Sequence, residues 1–239
     1  MTLRHTWPAI PLAVAALLLL VLLPAPSQPQ HAPNRHTPGG SLNWAGQVAT
    51  AGGDELRTVS ATFLQPAVTC RPTETSYAIF WASLDGYGSR SVEQVGTEAN
   101  CERGQAVYRA WYELVPQPPV YFDLPVRAGE KVAVSVAYDG SHYRLSLQNR
   151  TTGQGYSLTQ PGSGERTSAE VVAEALTSRQ GTRLPLAHFG SVSFTDVRVN
   201  GASIAQADPI PLDLVGPGGQ PLAITSTAAS STVSISSPV

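Results

Sequence analysis

Three stretches of the 239-residue chain place carboxyl and amide side chains at the two-residue spacing of a strand. They are V-E-Q-V-G-T-E (92–98), R-A-W-Y-E (109–113) and A-E-V-V-A-E (169–174). Alternate residues of an extended chain share a face. Val92, Gln94, Gly96 and Glu98 therefore line up, as do Arg109, Trp111 and Glu113, and Trp81, Ser83 and Asp85 of F-W-A-S-L-D-G (80–86). Glu170 and Glu174, four apart, share a face whether their segment is strand or helix. A core-facing surface would not gather aromatics with carboxyls and amides, whereas a binding cleft would. The chemistry on offer is narrow. A carboxylate can take and return a proton. A carboxamide such as Gln94 does not titrate and can donate a hydrogen bond at any pH.

Other chemistries find little support. Beyond residue 40 the only histidines are His142 and His188. No G-x-S-x-G elbow, H-E-x-x-H pair, or Asp-Thr-Gly or Asp-Ser-Gly turn occurs. The two cysteines, Cys70 and Cys101, read as a disulfide, the default for one pair in an exported chain. No metal site and no cofactor is expected. Charged residues make up 13% of the chain, against roughly a quarter in an average protein. With a net charge of −2, Lys131 as the only lysine and no basic run, nucleic acid is not expected as a partner. Sparse charge suits a medium acidic enough to protonate carboxylates and break ion pairs.

The elements that must position these side chains are strands. T-V-S-A-T-F-L-Q (58–65), S-Y-A-I-F-W-A-S-L (76–84), Q-A-V-Y-R-A-W-Y-E-L (105–114), K-V-A-V-S-V-A-Y (131–138), Y-R-L-S-L-Q-N (143–149), S-V-S-F-T-D-V-R-V (191–199) and S-T-V-S-I-S-S (231–237) alternate in twos between turn residues. Asp139-Gly140 predicts a two-residue type I′ hairpin. Only A-E-V-V-A-E-A-L-T-S-R (169–179) is open to a helix as well as a strand. The expected fold is all-β, an antiparallel sandwich of two packed sheets of the jelly-roll or concanavalin A-like type. Ahead of it, residues 1–27 read as a secretory signal peptide, with a basic start, an apolar stretch from Ala9 to Leu23 and a small-residue exit. That stretch contains Pro11 and is short of the about 20 residues of a membrane span. A retained anchor is the lesser reading, and no stable membrane association is expected after leader removal. Residues 28–40, Q-P-Q-H-A-P-N-R-H-T-P-G-G, read as a linker or short pro-segment, leaving 41–239 as one domain.

These residues resemble the glutamic peptidases, also called eqolisins, which are secreted acid-acting endopeptidases with a β-sandwich fold. The resemblance runs from Asn43 to about Thr195 on five pieces in the family's order: N-W-A-G (43–46), W-A-S-L-D-G (81–86), E-Q-V-G (93–96), A-W-Y-E (110–113) with Pro116, and A-E-V-V-A-E (169–174). Q-N-R-T-T-G (148–153) and A-H-F-G-S-V-S-F-T (187–195) support it. It implies that Gln94 and Glu174 are the catalytic pair. Glu174 would act as general base on a water and then as acid toward the leaving amine, and Gln94 would donate to the oxyanion. Trp44, Trp81, Asp85, Glu98, Trp111, Glu113 and Glu170 would bind substrate or support the pair. Only its place in the motif separates Glu174 from Glu170, and Trp44 and Trp111 read equally as core or as stacking surfaces. The chain departs from the family's pattern at Ser83, Glu98, Arg109, Val171 and His188.

The expectation is thus a secreted, monomeric acid endopeptidase acting on protein or peptide substrates. Two alternatives stay open. One is a carbohydrate-active jelly-roll enzyme or lectin using Glu174 with Glu98 or Glu113; the other is a secreted binding module without turnover.

Overall fold

The structure, a computed structural model, describes residues 29–37, 40–53, 55–226 and 230–238. The expected leader lies outside the described residues. In chain order the strands are β1 (His36–Thr37), β2 (Gly40–Ser41), β3 (Trp44–Thr50), β4 (Thr58–Leu64), β5 (Ile79–Leu84), β6 (Glu93–Glu102), β7 (Gln105–Leu114), β8 (Val120–Tyr121) and β9 (Lys131–Tyr138). They continue as β10 (His142–Asn149), β11 (Gly155–Pro161), β12 (Ser168–Glu174), β13 (Ser191–Val199), β14 (Ala202–Ser203), β15 (Ile210–Leu212), β16 (Leu214–Val215), β17 (Pro221–Thr225) and β18 (Val233–Ser236).

Two sheets pack as a sandwich. The smaller runs β15-β3-β12-β5-β6-β7-β8, all antiparallel. The larger runs β1-β2-β16-β17-β18-β13-β4-β9-β10-β11, with β14 paired to β13. Alternation decides which residues fill the core. Phe80, Ala82 and Leu84 of β5, Val95 and Ala99 of β6, and Ala169, Val171 and Ala173 of β12 face inward. There they join Phe63, Val132, Val134, Val136, Leu145, Leu147 and Phe194 of the larger sheet. Val171, a departure from the family's pattern, is therefore a core residue.

The intervening residues of the smaller sheet point to its other face, yet β5, β6 and β12 are buried there too, apart from Glu102. Trp44, Val48, Ile79, Trp81, Trp111, Val172, Leu176 and Leu212 form a second apolar cluster on that face, flanked by Tyr77, Tyr87 and Leu184. The Cys70–Cys101 disulfide ties the chain ahead of β5 to the end of β6, as expected.

One expectation is overturned and two open readings are narrowed. Residues 169–174 are strand and not helix, because they are paired on both edges, to β3 and to β5, where β-branched Val171 and Val172 pack well. The Asp139-Gly140 connection is not a two-residue type I′ turn. Gly140 has φ +115° but Asp139 is not in the left-handed region. The loop spans 139–141, and the Asp139 carboxylate closes it by accepting from the backbone N–H groups of Ser141 and His142. Residues 29–37, within the stretch read as a linker or short pro-segment, lie against the sandwich. Gln30 pairs with Thr177, and β1 pairs with β2.

Candidate active site

Cross-strand register arranges the outer face of the smaller sheet in three rows. One runs Glu113–Gln94–Ser83–Glu170–Val48, the next Trp111–Gly96–Trp81–Val172–Gly46, and the third Arg109–Glu98–Ile79–Glu174–Trp44. The face gathers the residues singled out by sequence parity. Gln94 and Glu174 rise from it on either side of the tryptophan row, with β5 between their strands.

The middle row requires its glycine. A Cβ on Gly96 would run into the Phe80 carbonyl oxygen and come within 2.5 Å of the Trp81 Cβ. The bare backbone at 96 therefore leaves room for the tryptophans on each side. Trp44 meets Trp81 edge-on, with centroids 4.8 Å apart, and a Cβ on Gly86 would lie 2.6 Å from the Trp44 ring. Trp44 and Trp81 are thus packing residues on this face. The Trp81 indole also has a polar role, its Nε1–H donating to Glu174 Oε2 at 3.0 Å.

Gln94 is buried, and its Nε2 donates to Glu113 Oε2 at 2.7 Å. Gln94 Oε1 and the Trp111 Nε1–H have no hydrogen-bond partner among the described residues. Burial pushes the Glu113 carboxyl up to about 7, the charge of Glu174 adds to the rise, and His31 works against it. Glu113 is therefore neutral in acid. Glu98 is held by Asn100 Nδ2 and the Tyr121 hydroxyl at 2.7 Å each, and by Arg109 at 3.4 Å. Arg109 also pairs with Glu102 at 2.5 Å. A cleft of about 930 Å³ opens here, lined by Glu98, Arg109, Glu113, Tyr121, Tyr77 and His31 among others.

Glu170 has different surroundings from Glu174. Its carboxylate accepts from Ser83 Oγ at 2.7 Å and from the Tyr87 backbone N–H at 3.3 Å, and full burial pushes it up to about 8. Ser83, where the family's pattern has glycine, thus supplies a hydrogen bond to Glu170. Asp85 is not a cleft residue. It sits at φ +63° and accepts from the backbone N–H groups of Arg166 and Thr167, fixing the chain that enters β12.

Sequence reasoning passed over one residue of this site. The His31 side chain is buried on Glu174, its Nδ1 3.1 Å from Oε2, with its ring stacked on Trp111. The available signal was the spacing of Pro29 and Pro33 around it, which marks an extended segment. Among the described residues no group of three or more His, Cys, Asp or Glu side chains is arranged to hold a metal. No helix among them is long and apolar enough to cross a membrane.

The sandwich is shared with known peptide hydrolases. Residues 42–237 match the profile of the Peptidase A4 family, and the chain belongs to that family. It is a glutamic-type endopeptidase. It is similar to Aspergillopepsin-2 of Aspergillus niger, at 29% identity over 73% of this chain and 70% of that protein. Among solved structures it is similar to scytalido-glutamic peptidase with a transition-state analog inhibitor, at TM-score 0.72 and 28% identity over 82% of this chain and 98% of that one. It is also similar to aspergilloglutamic peptidase from Aspergillus niger, at TM-score 0.60 and 28% identity over 68% and 99% of the two chains.

Proposed function

We propose that the protein is a secreted, acid-acting endopeptidase in which Glu174 and Gln94 are the catalytic pair. The observation that carries the reading is their placement on one sheet face, on either side of Trp81, each held by a second polar side chain. Glu174 takes a proton from the attacking water, oriented by the Trp81 Nε1–H, and returns it to the leaving amine. Gln94 Nε2 carries two hydrogens; one is given to Glu113 and the other is free to meet the oxyanion. Neutral Glu113 supports that step in acid, since it anchors the amide without placing a negative charge beside the developing oxyanion. The substrate is an extended peptide laid over the tryptophan row. The protein acts as a monomer after export, and nucleic acid is not a partner.

The test is cleavage of a denatured protein from about pH 2 to 7 by the wild type, Gln94→Ala and Glu174→Gln. Both variants should lose about a hundredfold or more in kcat, the scale of a lost oxyanion donor or general base. Full activity in Gln94→Ala would overturn the mechanism. Glycan hydrolysis without proteolysis would support the carbohydrate-active alternative instead.

A further inference from the structure

We propose that the outer face of the larger sheet carries a second binding site, a trough for an acidic polysaccharide, on the side of the sandwich opposite the cleft. Its existence does not depend on which residues are catalytic. The trough holds about 350 Å³ and lies over β4, β9 and β10, with β13 along one side. Two cross-strand rows make its floor. One runs Arg198–Ser60–Ser135–Ser146 and the other Thr62–Ala133–Gln148. Ser60, Thr62, Ala133 and Ser135 are half-buried, while the longer Gln148, Arg150 and Arg198 are exposed at the edges. Short side chains between long arms make an open channel that a chain can lie along.

A bulge in β13 aims one of those arms. Val192 and Phe194 point into the core, and strict alternation would send Asp196 and Arg198 after them. Instead the pairing with β4 shifts register between Thr195 and Arg198, and Asp196 takes φ +51°. The extra residue returns Val197 and Val199 to the core and turns Asp196 and Arg198 outward. Arg198 Nη1 then donates to the Gly201 carbonyl at 3.1 Å, which steadies the arm. The other N–H groups of its five-donor fork are left for a ligand.

The chemistry of the lining selects the ligand. The Ser60 and Ser135 hydroxyls, the Gln148 amide and the Arg150 guanidinium make no side-chain hydrogen bond to a described residue. Hydroxyls and an amide can both donate to and accept from the hydroxyls of a sugar. Arg150 and Arg198 supply forked, permanently charged donors of the kind that take sulfate or carboxylate. Against them the trough sets a single carboxyl, Asp196, in a chain whose formal net charge is −2. Arg144, on the same side of β10, donates to Ser157 Oγ at 3.3 Å and adds a third positive charge nearby. No aromatic ring lines the trough, so nothing there stacks a neutral sugar or an unpaired base. A polymer held on this face leaves the cleft on the other face open to peptide.

The full protein would be tested for binding to dextran sulfate, polygalacturonate and uncharged dextran at about 0.05 M salt, where exposed charges are only weakly screened. At least one acidic polymer should bind and dextran should not, and the tighter of the two separates sulfate from carboxylate recognition. A hydrogen bond to a charged group shifts an equilibrium by roughly tenfold to a hundredfold, so the double variant Arg150→Ala, Arg198→Ala should raise Kd about tenfold or more. Its rate on a short peptide should match the wild type, since the trough lies away from the cleft. Arg109→Ala, a change in the cleft, should bind the polymer as the wild type does. Dextran held as tightly as the acidic polymers, or an unchanged Kd in the double variant, would sink the proposal. Loss of binding in Arg109→Ala would also refute it, by moving the anion to the cleft.

Discussion

Glu113 sets how the pair should respond to pH. Its carboxyl is raised to about 7 by burial first and by Glu174 second, and it stands 2.7 Å from the amide that would meet the oxyanion. Below that value it is neutral; above it an anion sits beside Gln94 and opposes a second negative charge. The wild type should therefore lose kcat as pH rises through about 7, and Glu113→Gln should lose that limb while keeping its acidic activity. Rates would be compared at pH values where circular dichroism shows both proteins folded, and an unchanged limb in Glu113→Gln would refute this role. Ser83 has a related effect on the other glutamate of β12, which the proposal leaves out of catalysis. Its hydroxyl, with Tyr87 N–H, encloses Glu170, so that two glutamates on one strand have separate surroundings.

The decisive property of the elements is alternation, most clearly in β6. Val95 and Ala99 enter the core, while Gln94, Gly96 and Glu98 build the site. Gly96→Ala should destabilise the protein by about 1–3 kcal/mol, because the added methyl meets backbone that cannot step aside. Urea unfolding would measure it, and a change below about 0.5 kcal/mol would show that β5 and β6 can part there. This alternation is why the sheet face was legible from the sequence: a period of two reports sidedness even where pairing partners are unknown. Sidedness could not separate Glu170 from Glu174, since residues four apart share a face and only folding reveals what each meets. The Asp139 loop was misread because its carboxylate closes a longer turn, which a dipeptide rule does not see. The segment around His31 was hidden for another reason. A proline-rich stretch without apolar periodicity reads as linker or short pro-segment, and its order comes from the surface it lies on.

Across the described residues, burial holds three carboxyls well above their ordinary range. Burial pushes Glu93 up to about 8, with Asp85 adding to the rise, Glu170 up to about 8 and Glu113 up to about 7. The folded state holds these protons after the unfolded chain has released them near 4.5. Their stabilisation is full below about 4.5 and is lost as pH rises through about 7 to 8, each group costing about 1.4 kcal/mol per pH unit in between. Thermal unfolding from pH 3 to 8 should show a falling Tm, flattened in Glu93→Gln. A Tm that climbs toward neutrality would contradict the assignment. The sparse charge noticed in the sequence fits the same acid preference. The tether of the His31 segment matters at this scale too. Because Pro29–Arg35 leads through β1 into the domain it covers, its effective concentration is set by chain geometry, of order millimolar for a short tether. Dilution into a large volume therefore leaves the segment lying against the sheet face.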